Sequence, residues 1–470
     1  MRARRDRHAA RLFSIAAALV LAVLLSVRSV SADEESLQPN ILVLVADDAG
    51  WKDSNPYGNP TVHTPNLRRL AESGVTFTRA FVTAPQCSPS RSSMLTGRYA
   101  HEIGAEDLHA PIPRGYRILP DHLREQGYFT GSMLKQHIGR AAARQFDWYS
   151  PRLGALPRFL HAAGGRPFFL WVGFMDPHRP YAGRRLEHVH NPGEITPPAH
   201  LRDTPATRQD LARYYDEIAR MDSRIGSYLN ELEERGLREE TLVIFLSDNG
   251  APFPREKGTL YDAGIATPYI WSWPAVLPEG VRANVLTSTI DLAPTLIELA
   301  GAEPPPEMTG RSMAAELLRL SDSLRGGLSG REAIFAERNW HDRDAHMRAV
   351  RTDSFKLIIN RYHELPFGMP GDISRSPSWR SLRSGRGEGE LSARQRLIFQ
   401  APRPPIELYD LRRDPGEYRN RAGDPELAVQ QARLLGLLDA WIAETGDLPR
   451  TEAASPPRRS RRRPDYSGSP

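Results

Sequence analysis

Cysteine is almost absent from this chain: 470 residues contain one, Cys87. That excludes an internal disulfide, so a folded body must be held by its apolar core and, at most, a metal. Long apolar runs are scarce too. The run from Phe13 to Leu25 is too short for an ordinary membrane span. It follows Arg2, Arg4, Arg5, Arg7 and Arg11 and precedes Val30-Ser31-Ala32, so residues 1–32 read as a cleaved secretory signal rather than an uncleaved anchor. No stable span is expected. The product would be exported: periplasmic or secreted, or lysosomal in a eukaryote. A charge imbalance is missing as well. The formal charge of +5 is matched by the six Arg and one Asp of residues 1–32, which leaves the remainder near neutral. The body has no basic stripe with interleaved aromatics, so no nucleic-acid partner is expected. Arg458, Arg459, Arg461, Arg462 and Arg463 sit among Pro and Ser in a tail, 451–470, that reads as solvated and disordered. There are no internal repeats.

What the chain does have is a series of short apolar runs ending in charge. Asn40 to Ala46 reads as a buried parallel strand and ends in Asp47-Asp48. Thr241 to Ser247 is a second and ends in Asp248-Asn249-Gly250. Pro167 to Phe174 is a third, ending in Asp176-Pro177-His178. Phe129 to Leu134 is a fourth, ending in Lys135-Gln136-His137. Open α/β sheets bind ligands beyond the carboxyl ends of their parallel strands, so four such ends point to one assembled site. Adjacent carboxylates repel unless a cation or an arginine compensates them. Asp47, Asp48, Asp248 and Asn249 offer only oxygen, which suits Ca²⁺ or Mg²⁺ and excludes a thiolate or imidazole zinc site.

Helices fall between the strands. Thr64 is expected to cap a helix from Pro65 that Gly74 stops, and a stripe from Leu211 to Leu232 runs up to Gly236. Another helix opens at Asp291 and ends near Gly301. From about Ser323 the texture changes to short strands at Ile334–Glu337, Met347–Arg351, Phe355–Ile359 and Glu407–Leu411, with a helix through Leu434 and Trp441. These suit a small antiparallel sheet. Ser381 to Arg396, rich in Gly, Ser and Arg, reads as a mobile surface loop.

Cys87-Ser88-Pro89-Ser90-Arg91 is followed by a helix-like run and Leu95-Thr96-Gly97-Arg98. Pro89 suits a first helical turn and Gly97 a left-handed stop, which places Cys87 just before a helix N-terminus. This segment and its tail resemble the signature of the type I sulfatases. The resemblance implies an alkaline-phosphatase-like α/β fold with a large, mostly parallel sheet flanked by helices. It divides the chain into a catalytic domain over 33–330 and a C-terminal antiparallel-sheet subdomain over 331–450. It also implies that a formylglycine-generating enzyme converts Cys87 to formylglycine. Calcium, favoured over magnesium, would be held at Asp47, Asp48, position 87, Asp248 and Asn249. Arg91, Lys135 and Lys257 would supply positive charge around the sulfate. In the implied mechanism one hydroxyl of the hydrated aldehyde, deprotonated by Asp248, attacks sulfur. His178 protonates the leaving group, and His137 takes the second hydroxyl's proton as sulfate departs.

The resemblance is closest to the heparan N-sulfatase (sulfamidase) branch, through Phe174 to Arg179, Ser247 to Pro254, Met347 to Asn360 and Leu365-Pro366-Phe367. That makes a sulfated saccharide the expected substrate, most specifically the N-sulfate of glucosamine. An O-sulfatase, a phosphonate or phosphate ester hydrolase, and a non-catalytic glycan-binding relative are the alternatives, and a homodimer is left open. One departure concerns the lysine segment, where the family usually has Gly before and Trp after; here Leu134 and Gln136 flank Lys135. Asn339, Trp340, His341 and Asp342 form a polar and aromatic cluster that either contacts sugar hydroxyls or makes a plain turn.

Overall fold

Residues 38–447 of the computed structural model, apart from 184, 185, 187 and 321–326, are described here. The signal segment and the basic tail lie outside them. Asn40–Ala46 forms β1, the centre of an eight-stranded sheet ordered β4-β3-β5-β1-β6-β7-β2-β8. The strands are β2 (Val75–Phe81), β3 (Phe129–Leu134), β4 (Trp148–Ser150), β5 (Phe168–Gly173), β6 (Thr241–Ser247), β7 (Ala266–Ser272) and β8 (Val281–Ser288). β1 pairs in parallel with both β5 and β6. Its alternate residues enter two separate cores: Ile41, Val43 and Val45 on one face, and Leu42, Leu44 and Ala46 on the other. Burial on both faces is why this run is unbroken rather than alternating.

β2, β7 and β8 are additions that the apolar runs did not announce. β7 runs antiparallel to β6 and to β2, and these two reversals point β2 the same way as β6. Polar residues in β2 and β8 (Thr78, Arg79, Arg282, Asn284) mark the end of the sheet where burial is one-sided. The consequence is functional. The carboxyl ends of β1, β2, β3, β5 and β6 share one edge, and the helix Cys87–Thr96 begins just past β2.

A second sheet, ordered β12-β11-β10-β9, is antiparallel throughout. Its strands are β9 (Ile334–His341), β10 (Arg343–Arg351), β11 (Phe355–Asn360) and β12 (Ile406–Asp410). Val350, Leu357 and Leu408 pack there against Leu434, Leu438 and Trp441 of the helix Ala428–Thr445.

Two local expectations are corrected. The stretch from Ser381 is not a loop: Pro377–Glu388 is a helix whose cap, Ser376, accepts from Trp379 N, and a capping box at Ser392 and Gln395 starts Ala393–Arg396. Leu382 is fully buried against the long helix Pro205–Glu234, so packing overrides the Gly- and Ser-rich composition. Nor does Thr64 cap the helix Pro65–Glu72, because its hydroxyl accepts from Asn55 N instead. The cap comes from 155 residues away, where Asp222 accepts from Leu67 N at 2.7 Å and from Asn66 N at 3.0 Å. The helix does end just before Gly74, where close packing requires glycine: a Cβ there would meet Trp271 O at 2.2 Å.

Among the described residues no helix is long and apolar enough to cross a membrane. Because Asp222 is buried and satisfies two orphan amides, Asp222→Ala is expected to cost about 1–3 kcal/mol, the penalty for stranding buried donors. Urea denaturation measures this, and an unchanged midpoint would mean that the remote cap contributes nothing.

Candidate active site

The strand ends are stitched to one another by backbone hydrogen bonds. Phe174 N donates to Val45 O, Asp248 N to Ala46 O, Asp47 N to Asp176 O and Lys135 N to Gly173 O, all within 2.8–3.2 Å. This continuation of the sheet beyond its last regular rungs brings four separate turns together. Gly173 is required at the crossing, since a Cβ there would lie 2.0 Å from Lys135 O and 2.7 Å from Arg91 Nη1.

Asp47, Asp48, Asp248 and Asn249 are fully buried at this edge. Carboxylate oxygens of the three Asp and Cys87 Sγ lie within 4.8 Å of one another. Asp48 has a left-handed backbone (φ 73°), held by Asp48 N donating to Asp248 Oδ1 and by Tyr214 Oη donating to Asp48 O at 3.1 Å. Cys87 opens its helix as the first residue after the cap Gln86, with Gly97 left-handed at the other end. Its thiol approaches Asp47 Oδ1 at 3.4 Å and Asp48 Oδ1 at 3.8 Å. Burial pushes that thiol well up despite Lys135 and Lys257, so the unmodified side chain is a neutral thiol and a poor nucleophile.

Three cations face the three carboxylates. Arg91 Nε donates to Asp248 Oδ2 at 2.7 Å, and its Nη1 donates to Lys135 O. Lys135 Nζ lies 2.6 Å from Asp47 Oδ2, and Lys257 Nζ lies 2.6 Å from Asp48 Oδ2. Burial raises the Asp47 carboxyl, but Lys135, His178, Arg91 and Lys257 outweigh it and hold it far below the carboxylate range. At Asp248 burial wins over Arg91, and the proximity of Asp47 adds to the rise.

His178 is fixed by its Nδ1 donating to Arg179 O, which turns Nε2 toward Asp48 and Asp372, each 3.8 Å away. His137, also left-handed (φ 59°), joins His109 through Nε2 at 2.7 Å and leaves Nδ1 buried without a hydrogen-bond partner. Burial, then Lys135 and His109, hold His137 well below the imidazole range, so the ring is neutral. All ten residues singled out in the sequence therefore lie at this edge. Nine form one connected cluster, and His137 adjoins it beside Lys135. Leu134 explains one departure in structural terms: its φ of 63° is a conformation in which Gly is at ease and Leu is strained.

Asp372 is the residue that sequence reasoning missed. It arrives from the loop after β11, accepts from Lys257 Nζ at 2.9 Å, and faces His178. No strand precedes it and no spacing links it to the other acids. His109 was missed for the same reason. Of the four residues read as either sugar contacts or a plain turn, Asn339 turns inward to Glu337 and Arg348. Trp340 contributes its carbonyl to Gln86 and Leu108, and Asp342 binds Gly371 N.

The donor set fits a hard divalent cation. Besides the carboxylates, Asn249 Oδ1 is buried with no hydrogen-bond partner, an acceptor suited to a cation. Withdrawing divalent ions with EDTA is expected to lower the thermal midpoint and calcium to restore it, by about 2.7 kcal/mol at a hundred times the Kd. A midpoint that EDTA leaves unmoved would argue against a bound cation.

A family model described as Sulfatase matches residues 39–302, more than half of the chain. A second, described as N-sulphoglucosamine sulphohydrolase, C-terminal, matches residues 255–369. The human N-sulphoglucosamine sulphohydrolase is 32% identical over 463 residues, covering 87% of this chain and 90% of the relative. An ulvan-active sulfatase of Formosa agariphila is 30% identical over 472 residues, covering 88% and 77%. A solved structure of a protein in complex with its substrate D-glucosamine-2-N,6-O-disulfate aligns with a TM-score of 0.66 at 20% identity, covering 87% of this chain and 98% of the other. The phosphonate monoester hydrolase of Silicibacter pomeroyi aligns with a TM-score of 0.66 at 19% identity, covering 87% and 96%. At such identities these two likenesses speak for the shared fold alone, an alkaline-phosphatase-like sheet with the second antiparallel sheet beside it. Taken with the sequence matches, they make the chain a hydrolase of sulfate esters or sulfamides that belongs to the sulfatase family, on its N-sulphoglucosamine sulphohydrolase branch.

Proposed function

We propose that the chain removes the N-sulfate from glucosamine at the non-reducing end of a sulfated glycan, with formylglycine at position 87 and calcium beside it. The observation that supports the N-sulfate is the match of residues 255–369 to the C-terminal model of N-sulphoglucosamine sulphohydrolases, a region most of which lies beyond the span matched by the general sulfatase model. Formylglycine would supply the attacking hydroxyl there, and the cation, held by Asp47, Asp48, Asp248 and Asn249, would polarise it and offset charge on the sulfate oxygens.

The remaining work falls to side chains whose positions are described above. Lys135 and Lys257 pair with different carboxylates of the cluster and can each turn N–H groups to sulfate oxygens, where negative charge accumulates as sulfur is attacked. Arg91 orients Asp248 and the start of the nucleophile's helix. His178 Nε2 points into the site and delivers a proton to the leaving nitrogen. Asp372 and Asp48 each place a carboxylate oxygen 3.8 Å from that nitrogen. His137 Nδ1 accepts the proton released when sulfate departs. Proton delivery decides between substrates. An amine cannot leave as an amide-like anion, whereas a phenolate leaves unaided, so His178 matters most for an S–N bond.

The ulvan-active relative favours a second reading, an O-sulfate ester of a glycan, and the same experiment separates the two. Peptide mass spectrometry of the active protein is expected to find formylglycine at position 87. A fully active preparation with only cysteine there would refute the nucleophile. Glucosamine N-sulfate is expected to be cleaved with higher kcat/KM than glucosamine 6-sulfate or nitrophenyl sulfate. His178→Ala should slow the N-sulfate by roughly 10²–10⁴-fold, the contribution of a positioned general acid, and the aryl ester far less. Preference for the 6-sulfate or the aryl ester would replace the N-sulfatase reading with the O-sulfatase one.

A further inference from the structure

Beside His109 and His137 lies a feature that the hydrolytic site does not use. The segments carrying these two rings run on together, joined by Ile112 N donating to Ile138 O at 3.0 Å. Beyond that bond Pro113, Arg114 and Gly115 on one segment and Arg140, Ala141, Arg144 and Gln145 on the other line an open cavity of about 540 Å³. Three of its seven lining residues are arginines and none is acidic. All three are exposed, and among the described residues none of their side chains has an ion-pair or hydrogen-bond partner. Their neighbours behave differently. Arg117 pairs with Asp121 and Glu125, and Arg124 pairs with Asp121 and Asp147. Gln145 is already committed to Ile118 N and Tyr116 O, so it cannot neutralise the cavity.

Three like charges around one concavity repel one another and focus a positive potential, which an anion relieves. Guanidinium groups present paired N–H donors that match the two oxygens of a sulfate or carboxylate. At 3.8 Å per Cα step, the Arg140 backbone lies within about 11 Å of His137, and that of Arg114 within about 19 Å of His109. That is the scale of the neighbouring sugars of a glycan whose terminal residue occupies the site.

We propose that this arginine cavity is a subsite for the sulfate or carboxylate groups of the sugars that follow the terminal residue, so that the protein prefers an anionic oligosaccharide to a monosaccharide. The proposal rests on the glycan reading above. Its test compares glucosamine N-sulfate with a heparin-derived tetrasaccharide carrying N-sulfated glucosamine at its non-reducing end. In the variant Arg114→Gln/Arg140→Gln/Arg144→Gln, KM for the tetrasaccharide is expected to rise roughly tenfold or more, the worth of one charge-assisted hydrogen bond. Its kcat, and both constants for the monosaccharide, should hold. Arg140→Lys should lose much less, because it keeps the charge. An unchanged tetrasaccharide KM, or equal losses on both substrates, would overturn the subsite. A tetrasaccharide desulfated by chemical treatment and one with reduced carboxyl groups show which oxyanion is read. Tetrasaccharide binding to Cys87→Ala, with and without the three Arg→Gln changes, keeps the two readings apart. If the parent fails to cleave any N-sulfate yet the arginine changes weaken binding, the substrate reading falls and the subsite stands.

Discussion

Three buried carboxylates pressed to one edge of a parallel sheet are the constraint on which the rest of this structure depends. At such separations, without compensation, Asp47, Asp48 and Asp248 would repel strongly, since a partly dry site screens charge far less than water does. Each of the three is matched by a different cation from a different segment: Lys135 after β3, Lys257 in the loop before β7, and Arg91 one turn into the helix that Cys87 opens. The charge balance therefore holds together parts of the chain that share no strand pairing. A bound divalent ion would take over part of that compensation and free the two lysines to meet an anionic substrate.

Backbone strain is concentrated in the same place. Asp48, Leu134, His137, His109 and Asp342 all hold left-handed conformations, and each costs of the order of 1–3 kcal/mol in a residue with a side chain. They persist because surrounding bonds hold them: Asp248 and Tyr214 at Asp48, Gly173 at Lys135 just after Leu134, and Ser88 at His109. What the strain achieves is direction. It turns the side chains after β1 and β3 away from the sheet and into the site, where a regular strand would have sent alternate residues to opposite faces.

The second sheet takes part in the site rather than merely adjoining it. The loops around it bring Asp372 to Lys257 and His178, while Trp340 O ties the end of β9 to Gln86, the cap of the Cys87 helix. The His178 imidazole is thereby flanked by a carboxylate from each part of the chain, Asp48 and Asp372.

The sequence by itself determined the central strands, the acidic and basic residues at their ends and the lone cysteine in its motif. Each of these is written locally: a strand buried on both faces must be continuously apolar, and charge just beyond it cannot be buried without a purpose. The family followed from the same residues. Tertiary structure alone decided what depends on partners far along the chain. Asp222 rather than Thr64 caps the helix at Pro65, Leu382 recruits a Gly- and Ser-rich stretch into a helix, and two strand reversals carry β2 to the shared edge. Asp372 and the three arginines beside His137 belong to the same class. Arg140 and Arg144 lie one turn apart on a short helix, but Arg114 and Asp372 reach their places on separate segments, and only the folded backbone sets where those segments meet.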